Sequence, residues 1–183
     1  MKFLNLRASA VLVIPVWLGA CGKTTDSSPA ITQTANPPPS EIVIPGGIFV
    51  LDVPTKIANA KLSLSEKCAV DSLNAKQLPK VGDWEVSKAE GLRVGGWTLD
   101  GGTNPEVFVR LQGSSQGYHA LTTSRGQRKD VSKILGIPES RNVGFELRGS
   151  LEHVVPGSYK IALIQISSGG GTECRIPHSV TIK

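Results

Sequence analysis

Residues Gly113-Ser114-Ser115-Gln116-Gly117 fit the G-x-S-x-G pattern of serine-hydrolase nucleophiles, and histidines at 119, 153 and 178 could in principle supply the base. Such a nucleophile needs a sharp turn from a strand into a helix, whose N-terminus lies beside the developing oxyanion. Here both flanking runs, Val107 to Leu111 and Tyr118 to Thr122, read as strands, so the segment is expected to be a hairpin loop. A triad is also defined by geometry, which possession of a serine and a histidine does not supply. Asp100, Glu106 and Asp130 could form a carboxylate pair for glycoside hydrolysis, yet each is more simply a turn, edge or cap residue. The run Ser167-Ser168-Gly169-Gly170-Gly171-Thr172 lacks the lysine and following helix of a phosphate-binding loop and reads as a flexible turn. Cys68 and Cys174 have no histidine at ligand spacing beside them. The expectation is therefore no catalytic set, no cofactor and no metal.

Two features suit binding. Arg125, Arg128, Lys129 and Lys133 cluster in SRGQRKDVSK, where they could grip a phosphate or carboxylate of an anionic polymer or simply form a solvated loop and helix face. Trp84 and Trp97 are the kind of side chain that stacks on sugars. Trp97 sits in an apolar run and is expected in the core. Trp84, between Asp83 and Glu85, is the surface candidate. The net excess of five basic residues falls to three without Lys2 and Arg7 of the leader, too weak a field to argue for nucleic acid.

The elements that must carry these residues begin after a leader. MKFLNLRASAVLVIPVWLGAC opens with two cations and no acid and then runs apolar, as a bacterial export signal does over residues 1–20. The apolar run is shorter than the roughly 20 residues of a spanning helix. Leu18-Gly19-Ala20-Cys21 resembles the bacterial lipoprotein box, which implies that Cys21 becomes an acylated mature N-terminus holding the chain to a membrane. Gly22, where an aspartate would signal retention at the inner membrane, implies by the same resemblance the outer membrane, facing the periplasm. From Cys21 to residue 45 the chain lacks aromatics, is rich in Ser and Thr and carries Pro37-Pro38-Pro39, so it is expected to be a tether with a reach of roughly 30 to 70 Å.

Residues 46–183 have the length of one domain. Short alternating runs such as Leu92-Arg93-Val94, Glu106 to Leu111 and Tyr159 to Ile166, punctuated by Gly and Pro, predict an all-β, immunoglobulin-like antiparallel sandwich of about seven to nine strands. One helix is expected over 130–136, capped by Asp130, with Val131, Ile134 and Leu135 on one face and Gly136 as its stop. Cys68 and Cys174 are expected to pair in an oxidising compartment, closing a loop worth roughly 4 to 5 kcal/mol.

Taken in order, Val94-Gly95-Gly96-Trp97-Thr98-Leu99-Asp100, Val107-Phe108-Val109, Tyr118-His119-Ala120, Arg128-Lys129-Asp130-Val131, Val143-Gly144-Phe145 and Pro156-Gly157-Ser158-Tyr159 resemble a bacterial β-sandwich module. That module is attached to membrane glycosyltransferases and surface-polysaccharide proteins. The resemblance spans about Cys68 to Ile166, with Ala69 to Asn74 matching its opening strand, and this chain carries no catalytic domain beside it. It implies structural roles: Trp97 and Phe145 in the core, Asp100 turning the chain, Asp130 capping the helix and Gly157 making a hairpin. Fold alone does not give function. The expectation is a lipid-anchored, non-enzymatic envelope protein that binds polysaccharide or serves its machinery, or else docks a protein partner on a sheet edge or loop. Trp84 and the Arg125 to Lys133 cluster converging on one groove would favour the glycan.

Overall fold

The structure, a computed structural model, describes residues 47–78, 83–99 and 105–183. The leader, Cys21, the tether and Asp100 lie outside those residues. Along the chain come α1 (Thr55–Ala58), β1 (Leu62–Leu64), β2 (Cys68–Leu73), β3 (Lys76–Gln77), β4 (Asp83–Val86), a 3-10 turn (Lys88–Glu90) and β5 (Leu92–Thr98). They are followed by β6 (Glu106–Gln112), β7 (Gly117–Leu121), β8 (Ser124–Gly126), α2 (Lys129–Leu135), β9 (Gly144–Gly149), β10 (Gly157–Ser167) and β11 (Gly170–Ile182).

The strands form two sheets, as an all-β sandwich requires. One has six strands in the order β1-β11-β10-β6-β7, with β4 also on β11, and the other has five in the order β3-β2-β5-β9-β8. Eleven strands exceed the seven to nine expected because β11 is thirteen residues long and takes two short partners on one edge, β1 at Gly171 to Glu173 and β4 at Ser179 to Ile182. Both partners run parallel to β11, so the sandwich is mostly, not wholly, antiparallel.

Alternation decides which face each strand buries. Val70, Leu73, Leu92, Val94, Phe145 and Leu147 come inward from the five-stranded sheet and meet Val107, Val109, Leu111, Ile161, Leu163 and Val180 of the six-stranded one. Cys68 of β2 and Cys174 of β11 are joined by a disulfide, with Cα atoms 6.4 Å apart, so a covalent link crosses the same core.

The outer faces differ. On the six-stranded sheet Phe108 and Ile164 also point outward, and Ile57 of α1 covers them with Leu62, Leu121 and Ile166 packed around. That cover explains why Ile164 is buried along with the inward Ile161 and Leu163, where simple alternation would leave it exposed. The sequence pattern did not signal α1, a four-residue turn that starts after Pro54, a residue suited to the approach to a helix. Among the described residues, no apolar cluster of this kind covers the outer face of the five-stranded sheet.

Three local expectations change. The N-cap of α2 is Arg128, two residues before the expected cap Asp130, and Asp130 lies in the first turn, where its carboxylate binds Arg128. Only Val131 of the predicted apolar trio is buried; Ile134 is 82 % exposed and Leu135 partly so, while Ser132 takes the inward place. Gly136 does end the helix, in the left-handed conformation at φ 64° that favours glycine. Gly157 opens β10 after a chain crossing from one sheet to the other, so it is not in a hairpin.

Candidate binding groove

The outer face of the five-stranded sheet carries a groove of about 860 Å³. β5 and β9 each place a glycine on this face, Gly95 and Gly144. On β5 the inward set is Leu92, Val94, Gly96 and Thr98, which leaves Arg93, Gly95 and Trp97 on the outer face. Their neighbours on β9 are Arg148, Glu146 and Gly144, and beyond these on β8 stand Ser124 and Gly126. Gly95, Gly144 and Gly126 lie on this face; Gly126 is open, Ser72 Oγ lies over Gly95 and the Arg128 stem over Gly144, and charged side chains stand around them.

A bulge builds one wall. Val70 pairs with Gly96 and Ser72 with Gly95, so Asp71 is the extra residue on β2, and such a bulge re-aims a side chain. Asp71 meets the guanidinium of Arg128, which also binds Asp130 at 2.6 Å. Its aliphatic stem lies over Gly144, where a Cβ would come within 2.8 Å of the Arg128 Cγ. The hydrogen bond from Arg128 holds the Asp130 carboxyl down to about 2. The same pairing raises the Arg128 guanidinium above its ordinary value. At the other wall, Arg93 Nε and Arg148 Nε both donate to Glu146 Oε1 at 2.7 Å. The bond from Arg148, opposed by slight burial and reinforced by Arg93, holds Glu146 below the usual carboxylate range.

A second depression of about 500 Å³ adjoins the first and shares Arg93 with it. Lys88, Gly91, Arg148, Gly149 and Ser150 line it, so the two run in sequence along β5 and β9.

The predicted binding residues divide. Arg128 stands in the wall. Arg125 lines the groove but turns inward beside Phe145, donating to Thr98 Oγ1 at 3.3 Å and to the Asn142 carbonyl at 2.7 Å, and burial lowers its pKa. Lys129 and Lys133 are exposed on α2, with Lys129 Nζ 4.0 Å from Glu139. Trp84 is not in the groove: it lies on β4 of the other sheet, packed against the core with its indole Nε1 buried and without a partner. Trp97 stands half-buried on the groove's own face, opposite Gly144. Both rings are half-buried: Trp84, expected on the surface, packs against the core, and Trp97, expected in the core, stands on the outer face without lining the groove. Sequence reasoning missed Asp71, Arg93 and Glu146 as groove residues, although Arg93-x-Gly95-x-Trp97 is the alternation that puts all three on one face.

The GSSQG segment is the tight connection between the antiparallel strands β6 and β7, closed by Gly113 N–H donating to the Gln116 carbonyl at 2.9 Å. No helix follows it. His119 lies 4 % exposed on β7, on the outer face of the six-stranded sheet beside Arg110, and its Nδ1 has no partner. Burial, and then the charge of Arg110, lowers its pKa to about 4. Among the described residues no group of three or more His, Cys, Asp or Glu side chains could hold a metal ion. Comparison of the chain with protein-family models, curated proteins and solved structures finds no match.

Proposed function

We propose that this protein is a lipid-anchored, non-catalytic module of the bacterial envelope that binds surface polysaccharide in the groove of its five-stranded sheet. The observation that carries the reading is an open groove with bare backbone at Gly126 between walls of paired arginine and carboxylate groups. Glycine there lets a sugar ring approach the backbone closely. The walls offer charge-assisted hydrogen bonds, the stronger kind. Trp97 adds an apolar surface on the same face. The anchor rests on the leader and on Leu18-Gly19-Ala20-Cys21, and outer-membrane placement on Gly22. The resemblance of its motif order to modules of membrane glycosyltransferases and surface-polysaccharide proteins supports the same reading.

A second reading, docking of a protein partner by strand addition, has one specific observation in its favour. Leu64 is 70 % exposed on β1, the edge strand of the six-stranded sheet. Thermal unfolding of the full chain with polysaccharide from its own envelope separates the two. A saturating ligand at about a hundred times its Kd stabilises by about 2.7 kcal/mol, which raises the midpoint by several degrees. No shift at high concentration would reject the glycan reading and favour the protein partner.

A further inference from the structure

We infer that the groove takes a neutral, extended polyhydroxyl chain lying along β5 and β9, and neither an acidic polymer nor a single sugar. This rests on the polysaccharide reading and narrows it to a ligand class.

Charge disfavours the acidic polymer. Four arginines face three carboxylates here, a surplus of one positive charge, and three of the four stand directly against a carboxylate that an anion would meet. Here Arg93 and Arg148 share Glu146, and Arg128 is held between Asp71 and Asp130. Arg125 has no carboxylate partner, but it gives two of its five N–H groups to Thr98 and Asn142, which turn it inward. A carboxylate or phosphate approaching Arg93, Arg148 or Arg128 would have to sit beside Asp71, Asp130 or Glu146, or displace one of them. Paired guanidinium and carboxylate groups instead present donors and acceptor lone pairs side by side. A carboxylate accepts only, so its spare lone pairs call for ligand donors. A hydroxyl, which both donates and accepts, satisfies both halves of such a pair, whereas an anion satisfies one.

Length excludes the single sugar. The two depressions meet at Arg93 and follow the strands from the Gly144 end to the Gly91 end. Gly96 and Gly91, which line the two depressions, are five residues apart on β5 and its approach, about 17 Å at the rise of a strand. A track of that length is matched by several consecutive units of a linear chain.

The test fractionates polysaccharide from the protein's own envelope by anion exchange into neutral and acidic pools and, after partial hydrolysis, by size. Each pool is titrated calorimetrically into the full chain. The neutral pool is expected to bind with an affinity unchanged between 0.05 and about 0.5 M salt, and its shortest fragments at least about tenfold more weakly than its longer ones. The Gly126→Leu variant is the internal block, because a Cβ there meets nothing within 4 Å. It should keep the melting temperature and lose at least about tenfold in affinity. Preferential binding of the acidic pool that falls with salt, or shortest fragments binding as tightly as long ones, would overturn this inference while leaving the polysaccharide reading in place. So would a stably folded Gly126→Leu protein that binds as tightly as the parent. Binding by no pool would overturn both.

Discussion

Breaking the disulfide should remove a large share of the stability of this domain. Cys68 on β2 and Cys174 on β11 are 106 residues apart in sequence, and their bond ties the two sheets through the core. In the chain-entropy model a loop of that size restricts the unfolded chain by about 16 cal/mol/K, or about 4.7 kcal/mol at 25 °C. A folded domain of roughly 140 residues unfolds with an entropy near 0.3 kcal/mol/K, so the midpoint should fall by about 15 °C. The assay is thermal unfolding by circular dichroism of the full chain, oxidised and reduced. The Cys68→Ala/Cys174→Ala double variant accompanies it, so that effects of the reductant itself are separated. A drop of less than about 3 °C in both would refute the argument that this crosslink constrains the unfolded chain.

Two further predictions concern stability. His119 has a folded-state pKa of about 4 against 6.5 in the unfolded chain, so the unfolded state binds the extra proton between those values. Its contribution is complete above pH 6.5 and is lost as pH falls towards 4, by about 3 kcal/mol; His119→Gln should flatten that slope in urea unfolding, and an unchanged slope would assign it to other groups. A Cβ at Gly96 would lie 2.1 Å from the Ala69 carbonyl oxygen and 3.0 Å from the Phe145 ring. Gly96→Ala should therefore cost about 3 kcal/mol, whereas Gly126→Ala should stay within about 0.5 kcal/mol; equal urea midpoints for the two would contradict the packing described.

Strand positions were legible because a half-buried strand writes its two faces into alternate residues. Leu92 to Thr98 shows this, as does Val107 to Leu111 with its inward Val107, Val109 and Leu111. Alternation also held the answer for both tryptophans. Trp97 is two and four residues from Gly95 and Arg93, so it shares their outward face, and Trp84 shares the face of Val86, which is buried. Reading each ring by the polarity of its immediate neighbours gave the opposite placement, since adjacent residues in a strand point to opposite faces. What the sequence could not show is pairing at a distance. Arg128 and Asp71 are 57 residues apart, and they meet only because β2 carries a bulge. The parallel attachment of β1 and β4 to β11 and the cover of α1 over Phe108 and Ile164 are likewise products of topology. In α2 the expected apolar face of Val131, Ile134 and Leu135 does not form: Val131 and Ser132 are buried, and Ile134 and Leu135 stand in solvent.

The central claim is that ligand lies on the outer face of the five-stranded sheet. Its most direct test is the amide spectrum of isotope-labelled full chain titrated with the envelope polysaccharide. The account predicts saturable shifts concentrated at Gly95, Gly126, Gly144 and the neighbouring Arg93 and Trp97, with the β1 edge unmoved. Saturable shifts confined to Leu62–Leu64 or to α2, with those glycines silent, would contradict it.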